Sequence, residues 1–550
     1  MKKLIQFYDR HVLSLLTVLF LIIIPLYPKI PFIQIHDTYI SIRLEDFYVA
    51  FASAVFFVQV LRRKVQWNKT FVLLFIAFWS VGLISVAYNI FVSKIIFFRN
   101  IALLHALRRI EYMLPFFIAY AAVKTELSYI QKSEKLRQVL EKFMNVAFWV
   151  VFVVCLYALG QKTSLLFQPV RDMFLWMSIN SYGGMKDIAY VLFRFFDFPA
   201  VQTMNAEFAK GHLLNLTPES RVSSTFAGHY DLAAFLVFFL PLVAGAISYT
   251  KHKLRYSLIY IMSILTLVLT SARTSFGAFM LSITLYFAYT RKWKGFILTL
   301  VITGILLYAN RDMTERFMDT FRQKRVFENV QTGTEIINQN IVSNDLPAGS
   351  AFVVEGKSVP VATAKDRQDL QDQLVKKEKE DAQKSGKPIS DEEALRLVNE
   401  KYKEFQNFIA KDVIAGDTSL ATRTQVEWPR AWKAFLTNPI LGTGPSSITE
   451  STDGDYFRWF GEMGLAGGGL FIVILFLVWK NVYQAISRLQ EHRVMLVGFC
   501  AGMIALLANA ILIDVFEASK VAYIFWIVSG VFVAIVDKTV NGHQSSVDSK

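Results

Sequence analysis

Long apolar runs recur from one end of the sequence to the other, and they limit the fold more than any other feature. They fall near 11–28, 46–61, 70–91, 101–123, 143–160, 229–249, 255–271, 274–290, 294–309, 456–479, 494–513 and 521–537. A helix needs about 20 mostly apolar residues to cross a bilayer. The pattern predicts an all-α, polytopic membrane protein with about twelve transmembrane helices. Composition agrees: 54% of the 550 residues are hydrophobic, and mean hydropathy is +0.38. Length here measures spans, not soluble domains. The first run follows only "MKKLIQFYDR", has no small-residue cleavage site and precedes further spans, so it reads as a retained anchor. Cys155 and Cys500 both lie inside apolar runs and build neither a disulfide framework nor a Cys-based metal site.

The net charge of +14 is concentrated in particular connections. "LRRKVQWNK", "KTELSYIQKSEKLRQVLEK", "KHKLR", "RKWKG" and "KNVYQAISRLQEHR" are basic and fall on alternating sides, and Lys2, Lys3 and Arg10 join them. Cytoplasmic loops carry the excess of Lys and Arg. Both termini are therefore expected in the cytoplasm, with the chain multi-pass in the cell (inner, cytoplasmic) membrane. A nucleic-acid partner would need a basic face with interleaved aromatics on a soluble domain, and the sequence has none.

The expected organisation is a membrane domain over 1–309 (spans one to nine), an extracytoplasmic loop over 310–455, and a second membrane portion over 456–550 (spans ten to twelve). A shorter outer segment covers about 161–228. Within the large loop, about 330–415 is dense in mixed charge and good helix formers. It reads as a solvated helical hairpin bent at "SGKP", or as an insert that docks an acceptor or partner. In "SDEEALRLV", Ser390 stands as a helix cap ahead of first-turn acids.

Charges inside spans are costly and usually face a cavity or each other. The fourth run holds Arg108, Arg109 and Glu111 in "HALRRIEYMLPFF". Arg108 and Glu111, three apart, can share a helix face as a structural pair or as part of a site. "ESRVSSTFAGHYDLAAFLVFF" gathers Arg221, three hydroxyls, His229 and Asp231 where the sixth span begins. Arg273 stands in the polar turn of "LVLTSARTSFGAFMLSI", where a guanidinium fork and hydroxyls suit an anion such as a lipid pyrophosphate. Trp428, Trp432 and Phe435 mark one apolar helix face at the interface, flanked by Arg423 and Arg430. "NPILGTGP" then turns the chain toward Asp453 and Asp455. Cations for phosphates and carboxylates for proton transfer suit glycosyl transfer from a polyprenyl-pyrophosphate sugar. A capping role stays open for both aspartates.

In order and sidedness, "RVSSTFAGHYDLAAF", "SARTSFG", "RTQVEWPRAWKAFLTNPILGTGP" and "DGDYFRWFGEMGLAGG" resemble the O-antigen ligase/polymerase superfamily. The likeness covers most of the chain, and the charged insert has no counterpart in it. It implies a membrane-embedded, inverting, metal-independent glycosyltransferase with no cofactor. Such an enzyme moves a glycan from a polyprenyl-pyrophosphate donor to a glycan, lipid or protein acceptor in cell-surface polysaccharide biosynthesis. It also implies that Arg221, Arg273 and Arg423 hold the pyrophosphate. Ligases carry a His-Asn pair where this chain has Asp453 and Gly454, and polymerase-type members more often show an aspartate. That tilts the reading toward a polymerase, or a ligase to another acceptor. Asp453 is expected to be the base, with Asp455 its competitor. The rival readings are a lipid-linked glycan flippase, which would spread polar residues through several spans, and a non-catalytic scaffold.

Overall fold

Each apolar run is helical in the computed structural model. The structure describes residues 2–34, 41–96, 98–128, 134–196, 198–202, 212–214, 216, 220–310, 313–314, 323–329, 335–336, 359–360, 364–384, 389–401, 408–414, 423–448 and 452–547. The chain divides into a membrane unit, Met1–Met313 with Arg430–Lys550, and a second unit, Thr314–Pro429.

In the membrane unit the helices are α1 (Lys2–Leu26), α2 (Leu44–Leu61), α3 (Lys69–Phe91), α4 (Arg99–Met113), α5 (Pro115–Ser128), α6 (Glu134–Lys162), α7 (Ser164–Asn180), α8 (Gly184–Phe195), α9 (His229–Tyr249), α10 (Lys253–Leu269), α11 (Arg273–Thr290) and α12 (Trp293–Ala309). Among the described residues, 8 helices are long and apolar enough to cross a membrane. Two features set the helices apart from the simple expectation of about twelve spans. The fourth run is broken: α4 ends at Met113 and α5 starts at Pro115, whose missing N–H is harmless at a first helical position. The helices α10 and α12 have only 17 residues each, about 26 Å at 1.5 Å per residue. The segment after α6 is also structured. It carries α7, α8 and a hairpin of β3 (Ala200–Gln202) with β4 (His212–Leu214), a counterpart to the hairpin of β1 (Pro31–Gln34) with β2 (Ser41–Arg43).

The second unit holds α13 (Ala364–Lys384) and α14 (Asp391–Lys401) beside a sheet, β5 (Gln323–Asn329), β6 (Glu335–Ile336), β7 (Val359–Pro360) and β8 (Phe408–Ile414), in the order β6-β5-β8-β7. The helical pair was expected; the strands were not. The Glu393 amide donates to Ser390 Oγ at 3.2 Å, the expected cap. The pair buries a small seam of Leu374, Ala394 and Val398. Among the described residues its ties also include the Lys379–Asp391 ion pair. The turn at "SGKP" lies outside the described residues.

Three further helices follow. They are α15 (Trp428–Thr437), α16 (Asp455–Ala485) and α17 (Arg493–Asn509); a last helix, α18 (Ser519–Val547), closes the bundle. The centre of the membrane unit is α9 and α18, whose apolar windows are 89% and 100% buried. Close approach is possible because the neighbouring helix is small where it crosses. A methyl at Gly502 would sit 2.3 Å from the Phe238 carbonyl oxygen, and one at Gly498 would sit 2.7 Å from that of Pro241. Between membrane helices, packing replaces the hydrophobic drive, so such small-residue contacts set the crossing.

The basic connections collect at one end of the bundle. Arg62 Nη2 reaches Asp9 Oδ2 at 2.9 Å, and Lys142 Nζ reaches Ser14 Oγ at 2.6 Å. Arg137 Nη2 donates to the Tyr249 carbonyl at 2.7 Å, Tyr249 Oη pairs with His492 Nδ1 at 2.6 Å, and Arg493 Nη2 donates to the Tyr289 carbonyl at 3.4 Å. We call this end the basic face.

Candidate functional site

At the end opposite the basic face, several helices begin. The first residues of α18 lock three connections together, because Lys520 Nζ donates to the carbonyls of Pro25 (3.2 Å), Tyr27 (2.5 Å) and Thr225 (2.7 Å). The "RVSSTFAGH" segment is thus held at the mouth of α1. Within it, Gln161 Oε1 accepts from the Ser224 amide at 2.7 Å, and Ser224 Oγ donates to the Val154 carbonyl at 2.7 Å. Two of the segment's hydroxyls, Ser224 and Thr225, tie it to backbone carbonyls. They fix the turn that presents Arg221, whose Nη1 lies 2.8 Å from His229 Nε2. A guanidinium only donates, so this contact requires a lone pair on Nε2. Asp231, two residues on, faces Lys29 at 3.9 Å. Burial, with the Arg43 cation second, holds the Lys29 ammonium below its usual range, and Asp231 partly offsets them.

Asp453 is half-buried just ahead of α16. Its charge is felt by Asp231 on one side and by Asp514 on the other. Arg273 is the first residue of α11 and is half-buried; Ser271 before it takes a left-handed φ of 51°. Ser275, two residues on, accepts at Oγ from Asn509 Nδ2 at 3.0 Å, and the next carbonyl, of Ala510, accepts from the Asp455 amide at 2.9 Å. A short chain of contacts therefore links the start of α11 to the start of α16.

Asp455 does not cap its own helix, which corrects that alternative. The residue before α16 is Gly454, and it supplies no side-chain cap. The Asp455 carboxylate instead accepts from the amides of Val515 (2.7 Å) and Phe516 (3.1 Å), with Trp459 Nε1 at 3.4 Å. It secures the connection between α17 and α18. Arg430 is exposed on α15. Arg423 is buried and opens a π-helical turn, Arg423–Glu427, in the second unit. Arg221, Arg273, Asp453 and Asp455 thus share one end of the membrane unit.

The start of α16 is broken, and the break shapes the site. Gly464 takes φ 60°, ψ −161° inside the helix. Trp459 and Phe471 are twelve residues apart, about 18 Å along a straight helix, yet their rings stack at 3.6 Å. The break strands backbone groups that lipid cannot satisfy. "NPILGTGP" splints them. The Gly461 and Glu462 carbonyls accept from the amides of Thr443 and Gly444 (3.0 and 2.9 Å), while the Leu465 and Ala466 amides donate to the carbonyls of Pro439 and Ile440 (2.8 and 3.0 Å). Gly442 must be glycine there: its φ is +68°, and a methyl would lie 2.3 Å from the Glu462 carbonyl carbon.

Behind this splint lies a buried ionic network that the sequence reading largely missed. Arg109 pairs with Glu462, donates from Nε to Glu517 Oε1 at 2.8 Å, and sits 4.9 Å above the Trp459 ring. Glu462 Oε1 accepts from the Ser446 amide at 2.8 Å. Arg458 Nη2 reaches Asp514 Oδ2 and the Thr452 carbonyl, both at 2.6 Å. Burial raises the Asp514 carboxyl well above the carboxylate range, and Asp455, Asp453 and Glu517 add to that against Arg458. Burial also pushes Glu517 up, but Arg109 and Arg458 outweigh it and hold it low. Arg108 and Glu111 take different partners, the Ser41 carbonyl at 3.2 Å and Tyr523 Oη at 2.7 Å. An apolar cavity of about 300 Å³ adjoins the break, lined by Ala431, Trp432, Phe435, Tyr456, Phe457, Phe460 and Leu465.

With this geometry in hand, residues 258–472 match the family model described as O-Antigen ligase. The match runs from α10 into α16 and covers the second unit. No curated protein matches the chain. The match supports an O-antigen ligase-related family and, at that level, a ligase/polymerase-type function in a membrane protein.

Proposed function

From that O-antigen ligase-related membrane protein as premise, we propose an inverting glycosyltransferase that takes a glycan from a polyprenyl-pyrophosphate carrier at the face opposite the basic loops. An acceptor hydroxyl attacks the anomeric carbon. The bond from that carbon to the pyrophosphate oxygen breaks, and its electron pair leaves with the carrier pyrophosphate. The hydroxyl proton passes to the Asp453 carboxylate. Arg221 and Arg273 hold the leaving group, with Arg430 as a further phosphate contact. The apolar cavity beside Phe460 suits the carrier's isoprenoid chain.

One observation carries this reading. Short contacts through Asn509 and Ala510 join the N-terminal ends of α11 and α16, which carry Arg273 and Asp453, and Asp231 at the start of α9, the helix that Arg221 precedes, lies within the electrostatic reach of Asp453. Helix N-termini favour anions, and a carboxylate set among them is placed to work as a base near a pyrophosphate. A flippase would distribute its polar groups along a pathway. Asp453 in the ligase histidine's place favours a polymerase, or a ligase to another acceptor. The basic face is taken as cytoplasmic.

The test is transfer from a lipid-linked donor in proteoliposomes. Arg221→Ala and Arg273→Ala should each abolish transfer in protein that still inserts. Arg273→Lys should recover little, because a point charge does not replace a planar fork. Full activity in an alanine variant removes that arginine from the site. In cells lacking the protein, loss of long glycans with single repeats retained identifies a polymerase; normal chains left on the carrier identify a ligase.

A further inference from the structure

At the basic face, a cavity of about 690 Å³ opens between the end of α9 and the starts of α10 and α12. Its walls are mainly apolar, with Ile247, Ile261, Leu298 and Ile302 among them. Volumes of roughly 300–1,000 Å³ are those of small-ligand sites. The rim is different. The turn from α11 to α12 places Arg291, Lys292 and Lys294 there, three cations in four residues.

Sequence accounts for that turn. The helix α11 ends at Thr290, and Arg291 takes the left-handed conformation, φ 55° and ψ 31°, that reverses the chain. Two residues later α12 starts at Trp293, and its first turn has no side-chain cap. The uncapped amides and the helix dipole add to the positive field. Among the described residues no carboxylate forms an ion pair with these three cations. Burial, and after it the neighbouring cation Lys253, holds the Lys292 ammonium below its usual range. Trp293 is 54% exposed and Leu298 59%, as expected of side chains meeting headgroups and acyl chains.

We propose that this groove binds an anionic bilayer phospholipid, its phosphate at Arg291, Lys292 and Lys294 and an acyl chain along Ile261 and Leu298. An apolar slot with a surplus of positive charge at its mouth matches such a lipid at both ends. A neutral lipid leaves the cations unpaired, and free phosphate leaves the slot empty. The lipid would tie the α11–α12 hairpin to α9 and α10, at the face opposite the proposed transfer site.

The test uses the full chain in neutral detergent, with thermal stability followed as phosphatidylglycerol, phosphatidylcholine or inorganic phosphate is added. Phosphatidylglycerol should raise the midpoint above the other two additions. The variant R291A/K292A/K294A should lose that surplus and keep its response to phosphatidylcholine, while R291K/K294R should retain it. If the triple variant does not fold, L298W tests the slot with every charge in place and should also lose the surplus. Equal stabilisation by the two lipids, reproduction of the effect by phosphate alone, or an undiminished phosphatidylglycerol response in R291A/K292A/K294A or L298W would overturn the proposal.

Discussion

Arg109→Met should destabilise the membrane unit without touching a substrate. The side chains are similar in length, so the change removes the guanidinium and little volume. It leaves Glu462 and Glu517 facing each other, with side chains only 1% and 12% exposed. Breaking a buried pair by deleting one partner costs about 3–5 kcal/mol. The lost contact with the Trp459 face adds roughly 1–2 kcal/mol where water is excluded. Even the lower figure shifts the folding equilibrium by about two orders of magnitude, at tenfold per 1.4 kcal/mol. The diagnostic comparison is R109M/E462Q/E517Q, which removes the stranded charges as well. The carboxamide introduced at position 462 can still accept from the Ser446 amide through its carbonyl oxygen. That variant should regain more than half of the loss, because most of the cost lies in unpaired charge and the smaller part in the missing Trp459 contact. Denaturant unfolding in micelles, followed by Trp fluorescence, reads both. A loss below about 1 kcal/mol, the level of a surface pair, would refute the reasoning, as would a triple variant no better than the single one.

Two more perturbations separate the splint from the insert. Gly464→Ala should prevent accumulation of folded protein: its φ is +60°, and the added methyl would lie 2.4 Å from Ile440 backbone atoms. Gly469→Ala, with open space at its Cβ, is the matched control in a size-exclusion assay. Replacing Ala364–Lys401 by a short flexible linker should leave insertion and monodispersity unchanged, since among the described residues the pair's buried apolar side chains are Leu374, Ala394 and Val398. Aggregation of the deletion variant would make the pair structural.

The sequence made the helices legible because apolar runs report local chemistry. Ser390 was legible for the same reason: a cap and its acids lie within one turn. The basic loops were expected on one side of the membrane, and the contacts of Arg137, Tyr249 and His492 gather three of those loops at one end. What stayed hidden is non-local. "MGLAGGG" offers several glycines, and which one breaks the helix is decided by Pro439–Gly444, some twenty residues upstream. Asp455 looked like a cap because its partners, Val515 and Phe516, lie sixty residues ahead. Arg458, Asp514 and Glu517 sit at the edges of apolar runs, where hydropathy treats them as boundaries; only their pairing reveals a network. The strands of the second unit escaped notice because segments such as "QKRVFEN" lack a clean apolar alternation.

Turnover of Asp453→Asn in a reconstituted transfer assay, with donor binding measured beside it, tests the central claim most directly. A positioned base contributes roughly 10²–10⁴-fold, so turnover should fall by about a hundredfold or more while donor affinity and thermal stability hold. Asp455→Asn should instead lower stability, because its carboxylate holds the Val515 and Phe516 amides. Wild-type turnover in Asp453→Asn would contradict the account and place the proton acceptor elsewhere.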